Sequence, residues 1–220
     1  MRLRAELSKH TPVHITLRVV KAVGRLRRRA YHAIRRAIAT TWEREDFRVV
    51  HVSIQREHIH LICEADNKAA LGRGMKGLEV SAAKQLNAAI ALDRGEPAPR
   101  KGRVFPERYH VEPLTSPRQV RNVIAYCLNN WRRHREDLGS LAKERALLDP
   151  YSSAVTFDGW NRDAPFTVPD GYEALGTMYP QTWLLEFGWR KYGRIDPREV
   201  PGPISLKRSS SHPASSLAKS

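Results

Sequence analysis

The fold is decided by residues 47–63, which read FRVVHVSIQREHIHLIC. Apolar and β-branched residues alternate with polar ones on both sides of Gln55-Arg56-Glu57, and three polar residues are enough to join two antiparallel strands. The stretch therefore predicts a β-hairpin with strands over residues 47–54 and 58–63.

Helical patterns flank this hairpin. Apolar residues recur at three- and four-residue spacing over 25–43, 67–92 and 117–135, as on one buried face of a helix. A strand pattern over 14–20 precedes the first of these helices, and residues 102–111, before the third helix, are predicted to be a strand or a bent extended segment. The order β-α-β-β-α-β-α predicts an α+β fold of ferredoxin-like type, an antiparallel sheet with helices packed on one face.

The character of the chain changes after residue 139. Seven prolines punctuate residues 150–203, yet the tryptophans among them are too apolar for a free linker. We predict a main domain over 10–137. We also predict an irregular C-terminal appendage over 138–203, which folds onto the core or onto a ligand, and a disordered tail over 204–220.

Basic residues dominate the composition. The chain has 38 Lys and Arg against 23 Asp and Glu, a formal net charge of +15. Such an excess costs self-repulsion that a protein without an anionic partner need not accept, although a merely solvated basic helix face remains an alternative. We therefore predict a polyanionic partner.

Two classes of protein are excluded by simple counts. The apolar runs are far too short to cross a bilayer and no secretory pattern follows the basic amino terminus, so we expect no membrane partner and a cytoplasmic location. Cys63 and Cys127 are too few for a disulfide framework or a four-cysteine zinc site, and we expect reduced, partly buried thiols.

Two histidines lie in the second strand of the predicted hairpin. Because neighbouring side chains of a strand point to opposite faces, His58 and His60 share one face, with Cα atoms about 7 Å apart. Two imidazoles so placed can bind one metal ion and leave most of its coordination sphere open for substrate. A pair of ordinary histidines without a ligand is the equally simple alternative.

A tyrosine lies on the polar shoulder of the helix predicted over 117–135. Tyr126 has Asn122 and Asn130 as its neighbours at four-residue spacing, and a core tyrosine is not normally flanked by two amides. Asn130 could add a side-chain oxygen to a metal held by the histidines, while Tyr126 would present its hydroxyl to the same place.

These residues resemble a known family. A His-hydrophobe-His strand followed by a helix with Tyr-x-x-x-Asn is similar to the HUH-type single-tyrosine transposases, the insertion-sequence and REP-associated tyrosine transposase family. The matching positions are His58-Ile59-His60 and Tyr126-Cys127-Leu128-Asn129-Asn130. Residues 14–18 and 102–109 also resemble the family's first strand and the segment before its catalytic helix.

The resemblance implies an activity and its machinery. It implies a DNA transposase that cleaves and rejoins single-stranded DNA through a 5′-phosphotyrosine intermediate, with Tyr126 as the nucleophile. His58, His60 and Asn130 would hold a divalent ion, and mixed nitrogen and oxygen ligands suit Mg²⁺ or Mn²⁺. The expected partner is single-stranded DNA that contains a hairpin, and the expected state is a monomer or homodimer.

Arginines in two places are predicted to contact DNA phosphates. One group lies in and before the first helix, and the other directly follows Tyr126. The predicted residues are Arg25, Arg27, Arg28, Arg29, Arg35, Arg36, Arg132 and Arg133.

Two other functions are weighed against the transposase. His14-Ile-Thr16 and His51-Val-Ser53 are pairs typical of two-histidine phosphodiesterases, but they lie only 37 positions apart, too close for two duplicated lobes. A nucleic-acid-binding protein of transposase origin with little or no cleavage activity is the second alternative.

Overall fold

The computed structural model describes residues 7–136, 138, 146–163, 166 and 170–199, except for the side chains of Arg28 and Arg29. The tail predicted over 204–220 lies outside this part of the chain. The domain boundary predicted between residues 137 and 138 stays a prediction.

A four-stranded antiparallel sheet forms the centre, with the strand order β2-β3-β1-β4. The strands are β1 (Val13–Arg18), β2 (Phe47–Ile54), β3 (His58–Ala65) and β4 (His110–Pro113). The helices are α1 (Arg27–Ala39), α2 (Lys68–Asp93), α3 (Pro117–Arg133) and the single turn α4 (Trp183–Glu186). The predicted ferredoxin-like α+β fold is confirmed.

The last strand is shorter than the sequence pattern predicts. Residues 102–111 were expected to form a strand or a bent extended segment, and pairing with β1 begins only at His110. Pro106 lies inside the expected strand, and a proline has no N–H to donate to a ladder. Val104 is nevertheless buried, and its carbonyl accepts a hydrogen bond of 2.9 Å from the Val20 N–H.

The helices cover both faces of the sheet, so the expectation of one covered face was wrong. On the first face, α1 and α2 pack against Ile15, Ile59 and Leu61. On the second face, α3 packs against Val50 and Ile62. Apolar residues on both sides of the strands allow this arrangement, because a strand buried on both faces has no polar face to leave in water.

A β-bulge in β2 lets that strand serve both cores. The pairing register with β3 shifts between Val49 and His51. Val49 and Val52 therefore both join the core under α1 and α2, while Val50 joins the core under α3. The run of two valines at 49 and 50 is the break in alternation that marks the extra residue.

Side-chain caps set the starts of α2 and α3. The Asn67 side chain accepts hydrogen bonds of 3.0 Å from the N–H groups of Ala69 and Ala70. Ser116 accepts one of 3.3 Å from Gln119, and Pro117 occupies the first turn, where its missing N–H costs nothing. These caps fix where α3 begins, and so which of its residues face the sheet.

The C-terminal segment, meaning the described residues between 146 and 199, packs onto the domain. Its Tyr151 carbonyl accepts from Ile54 N–H at 2.9 Å, and its Met178 N–H donates to the Val49 carbonyl at 2.8 Å. These bonds cover the outer edge of β2, which would otherwise expose unpaired backbone groups. Its tryptophans Trp160 and Trp189 share the second core with α3.

Two smaller expectations concern the state of the two cysteine thiols and the presence of membrane-spanning helices. Cys63 and Cys127 are both free, and both are fully buried rather than partly so. Within the described residues, every helix is too short or too polar to span a bilayer.

A buried ion pair joins the start of α1 to the C-terminal segment. The Arg27 guanidinium donates two hydrogen bonds, of 2.7 and 3.1 Å, to the Asp149 carboxylate, which is fully buried. The same guanidinium stacks 4.6 Å above the ring of Tyr151. Arg27 therefore acts as a clamp between two distant parts of the sequence.

Replacing Arg27 with methionine is expected to lower the free energy of unfolding by about 3 kcal/mol, because it leaves the Asp149 carboxylate buried without a cation. Urea denaturation measures the loss. The control is Arg36→Met, which removes a hydrogen bond to Gln85 on the exposed surface and is expected to cost less than about 0.5 kcal/mol. Equal losses in the two variants would contradict the clamp.

Candidate active site

The two histidines of β3 lie on the sheet face that α3 covers. His60 pairs with Thr16 of β1 in the strand register, and His58 pairs with Arg18. His60 is 3% exposed, whereas His58 is half-buried at the start of the strand. The predicted shared face is thus observed, with one imidazole deep in the site and one nearer its rim.

His60 is held on one side by a second histidine. The Nδ1 atom of His60 lies 3.1 Å from His14 Nε2 and 3.3 Å from Thr16 Oγ1. The rings of His14 and His60 lie end to end and nearly parallel, with centroids 5.1 Å apart and planes 22° apart. His14 and Thr16 of β1 thus engage Nδ1 of His60, and its Nε2 points elsewhere.

Tyr126 of α3 lies against both of these imidazoles. Its ring centroid is 5.2 Å from that of His60 and 6.1 Å from that of His14, and both contacts are edge-on. Tyr126 is half-buried and belongs to neither apolar core. The structure therefore brings together the tyrosine and the histidine that the sequence separates by 66 positions.

Asn130 lies one turn after Tyr126 and is 1% exposed. Within the described parts of the chain, neither its Oδ1 nor its Nδ2 has a hydrogen-bond partner, and the same is true of His60 Nε2. Buried polar groups are nearly always paired, so orphaned atoms call for an explanation such as a bound ion or water.

His134 extends the same helix face by one more turn. It caps the end of α3, and its ring centroid lies 5.3 Å from that of His58. Since Tyr126 meets His60 and His134 meets His58, Asn130 faces the strand between the two histidines.

Burial keeps these imidazoles neutral near pH 7. It lowers the pKa of His14 to about 4, helped by His110 and His58, and it lowers the pKa of His58 to about 4, helped by His134 and Arg18. The pKa of His60 is well below its usual value, first because of burial and then because of the neighbouring histidines. The neutral imidazole is the form that binds metals.

The pKa of Tyr126, the predicted nucleophile, is shifted in the opposite direction. Burial raises the pKa of its phenol, while the nearby Arg133 opposes the rise. The phenol is therefore protonated near pH 7, and a reaction in which it attacks must remove that proton.

The donor set suits a divalent ion held by two imidazoles and an amide. No group of three or more His, Cys, Asp and Glu side chains in the described parts of the chain is arranged as a metal site. Any third ligand from these parts of the chain would be of another residue type, and Asn130, with its orphaned amide, is the predicted one. The assignment of His58, His60 and Asn130 as ligands stays a prediction.

The sequence profile of the family described as "Transposase IS200 like" matches residues 8–130, more than half of the chain. The chain belongs to this family. It is a DNA transposase of the HUH single-tyrosine type, and single-stranded DNA is its class of substrate. The match includes both histidines of β3, Tyr126 and Asn130.

The fold of this transposase is also found in a solved structure. That structure is described as the REP-associated tyrosine transposase bound to a REP hairpin, and it superposes with a TM-score of 0.51 at 14% sequence identity. The alignment covers 71% of this chain and 84% of the other. A comparison with curated protein sequences found no match.

Several arginines predicted to contact DNA make internal contacts in this transposase. Arg27 forms the clamp to Asp149, and Arg35 binds the Ala174 carbonyl and the Glu173 carboxylate. Arg132 donates to the carbonyls of Pro197, Ala146 and Leu147. These three guanidiniums hold the C-terminal segment in place.

The other arginines are placed differently. Arg25 is exposed just before α1, and Arg36 lies on the surface that α1 shares with α2, on the sheet face opposite the histidines. Arg133 follows Tyr126 closely enough to influence its pKa. The side chains of Arg28 and Arg29 lie outside the described part of the chain. Contact of these residues with DNA stays a prediction.

The geometry disfavours a two-histidine phosphodiesterase. His14 and His51 lie opposite the same residue of β3, Ile62, from the strands on either side of it. Two strand spacings, about 10 Å, therefore separate them. His51 is further enclosed by Phe157, at 5.4 Å between ring centroids, and by Ser153 of the C-terminal segment.

Two residues near Tyr126 are absent from the sequence prediction as site residues. Sequence alone gives His14 a role only in the phosphodiesterase alternative, and its nearness to His60 depends on the strand register, which the sequence does not reveal. His134 had a readable signal, since positions 126, 130 and 134 repeat at four-residue spacing along one helix.

The enclosure of His51 has a measurable consequence for stability. Burial lowers its folded-state pKa to about 4, below the value of about 6.5 in an unfolded chain. The unfolded state then takes up the proton first, so the free energy of unfolding falls as the pH falls from about 6.5 to 4.

A His51→Phe variant is expected to lose less stability than the unmodified protein over this interval. The difference is expected to approach about 1 kcal/mol for each pH unit. Urea denaturation at pH 7, 6 and 5 measures it. Parallel pH dependences of the two proteins would show that His51 is accessible to solvent when folded.

Proposed function

We propose that this transposase is a metal-dependent single-strand endonuclease and strand transferase that cleaves DNA through a 5′-phosphotyrosine intermediate on Tyr126. One observation carries the proposal: the Tyr126 ring lies directly against His60, whose buried Nε2 has no partner among the residues that the structure describes. A nucleophile and a free metal-binding atom therefore face the same space.

The reaction is an exchange of phosphodiester bonds. The Tyr126 oxygen attacks the scissile phosphorus in line, a bond between that oxygen and phosphorus forms, and the bond from phosphorus to the 3′ oxygen breaks. The phenol loses its proton and the departing 3′ oxygen takes one up. Attack by another 3′-hydroxyl reverses these steps and rejoins a strand, so no external energy source is needed.

Three side chains would hold the divalent ion, namely His58, His60 and Asn130. When bound, Mg²⁺ or Mn²⁺ supplies positive charge to a non-bridging oxygen of the scissile phosphate. The protein residues orient this arrangement, because His60 is locked between β1 and α3 and Asn130 projects from the same helix as the nucleophile. The helix therefore fixes the distance between the attacking Tyr126 oxygen and Asn130, which would hold the charge-stabilising ion.

The DNA strand is expected to enter at the half-buried side of the site. Arg18 pairs with His58 in the strand register and is exposed, and it lies close enough to lower the pKa of His58. His134 and Arg133 border the same opening from the end of α3. We propose that Arg18 and Arg133 contact phosphates on either side of the scissile one.

The preferred substrate is proposed to be single-stranded DNA with a hairpin. The similar solved structure is described as bound to a REP hairpin, and the charge of +15 on this chain favours binding to a polyanion. A nucleic-acid-binding protein of transposase origin, without cleavage, is the alternative that the first experiment below separates from an enzyme.

Tyr126→Phe is expected to abolish covalent adducts with labelled hairpin-bearing single strands, because no phenolic oxygen remains to attack. Binding of the same DNA is expected to be unchanged, since the ring and its contacts with His60 are kept. A denaturing gel with Mg²⁺, Mn²⁺ or a chelator measures the adduct, and fluorescence anisotropy measures binding.

The control for that experiment is Tyr109→Phe, which changes a tyrosine near β4, outside the rings in contact with His60, and is expected to leave adduct formation intact. Adducts that persist in Tyr126→Phe would refute the proposed nucleophile. Binding without adducts in the unmodified protein, whatever the metal, would favour the alternative.

Arg18→Gln is expected to weaken binding to single-stranded DNA of any sequence, because a phosphate contact carries no sequence information. The slope of log affinity against log salt concentration should decrease in magnitude by about 0.7. Titrations at four salt concentrations measure the slope. Arg73→Gln, an exposed change on α2 at the opposite sheet face, is the matched control, and an equal change in both variants would exclude a specific contact at Arg18.

A further inference from the structure

We propose that His14 is a positioning residue, which holds His60 in the tautomer that exposes a lone pair at Nε2 and seats the ring of Tyr126. The proposal rests on the proposed function, since it assigns a purpose to the metal-binding form of His60. His14 itself is placed to touch neither metal nor DNA.

The first support is the contact between the two imidazoles. His14 Nε2 and His60 Nδ1 are 3.1 Å apart, a hydrogen-bond distance. Both rings are less than 5% exposed. Water therefore competes little for this contact.

The position of the proton in that contact decides whether Nε2 of His60 can bind a metal ion. A neutral imidazole carries one N–H and one lone pair, on different nitrogens. If the proton between the rings belongs to His60 Nδ1, then His14 Nε2 accepts it, and Nε2 of His60 keeps its lone pair. If it belongs to His14, the proton of His60 moves to Nε2 and blocks metal binding.

The orphaned atom identifies the first arrangement as the productive one. Nε2 of His60 is buried and has no protein partner, so a proton there would be a donor with nothing to bind. A lone pair there is explained by a ligand. Metal-binding histidines commonly donate their other N–H to a neighbouring group that fixes the tautomer, and loss of that group typically weakens metal binding 10- to 100-fold.

Thr16 cannot replace His14 in this role. Its hydroxyl lies 3.3 Å from His60 Nδ1, which is longer than the contact with His14, and a hydroxyl can rotate to donate or to accept. It stabilises either tautomer, so the choice between them depends on His14.

The second support is the contact of His14 with the nucleophile. The rings of His14 and Tyr126 meet edge-on at 6.1 Å, at an interplanar angle of 83°. His60 meets the same tyrosine at 5.2 Å and 76°. Two imidazoles lying end to end therefore both contact the phenol ring, and removing one of them frees that ring to tilt.

The test compares two substitutions of His14 in the full chain. His14→Phe keeps a ring of similar size in contact with Tyr126 but has no acceptor for the His60 proton. His14→Gln restores a side-chain oxygen near the position of Nε2. His51→Phe, a buried histidine on the same sheet face that contacts neither His60 nor Tyr126, is the matched control, and thermal melting confirms that each variant folds.

The first measurement is Mn²⁺ binding without DNA, followed by electron paramagnetic resonance. We expect His14→Phe to bind Mn²⁺ about 10- to 100-fold more weakly, His14→Gln to recover most of the loss, and His51→Phe to bind like the unmodified protein. Unchanged affinity in His14→Phe would overturn the positioning role.

The second measurement needs no metal. Nitrogen-15 NMR of the imidazoles distinguishes a proton on Nδ1 from one on Nε2, and we expect His60 to carry it on Nδ1 in the unmodified protein and to lose that preference in His14→Phe. A merely structural histidine would not change the tautomer of its neighbour. An Nε2–H tautomer in the unmodified protein would overturn the proposal.

The two measurements also separate this proposal from the proposed function. If neither the unmodified protein nor His60→Ala binds Mn²⁺, the proposed metal site is wrong, while the tautomer of His60 still decides whether His14 positions it. If the unmodified protein binds Mn²⁺ and His60→Ala does not, the proposed metal site is supported. The Mn²⁺ affinity of His14→Phe then decides the positioning role.

Discussion

Helix α3 lies across one face of the sheet, and this packing is the constraint on which the rest of the protein depends. Its apolar side buries Val123 and Ile124 against Val50 and Ile62. Its polar shoulder then faces the histidine side chains of β1 and β3. A helix face repeats every three to four residues, so Tyr126, Asn130 and His134 all follow from this single docking. A rotation of α3 would displace the nucleophile and the orphaned amide together.

The C-terminal segment is what holds α3 in that orientation. Arg121 of α3 binds the Glu199 carboxylate with two hydrogen bonds of 2.7 and 2.9 Å, and Asn129 donates to the carbonyls of Asp196 and Glu199. Trp189 fills the second core beside the helix. The C-terminal segment contains none of the predicted catalytic residues, yet it supports the geometry of the site. It also uses several of the arginines that give the chain its basic character.

The electrostatics of the site follow from the same burial. Desolvation lowers the pKa of the histidines, which keeps their lone pairs available, and raises the pKa of Tyr126, which keeps the phenol protonated. The site thus combines neutral imidazoles, which can bind a cation, with a protonated phenol, which must lose its proton before it attacks. Under the proposed function, the charge of a bound ion and of the DNA phosphate would change this balance only when substrate is present.

The sequence by itself determined the order of the elements, the ferredoxin-like class and the pairing of His58 and His60 on one strand face, because these depend on local periodicity. It also determined the family, through Tyr126 and its spacing to Asn130. The tertiary structure alone decided that α3 covers the face opposite α1, that His14 Nε2 meets Nδ1 of His60, and that Arg27, Arg35 and Arg132 bind the protein itself. Strand register and the partners of long side chains are set by packing between residues distant in sequence, and no local pattern encodes them.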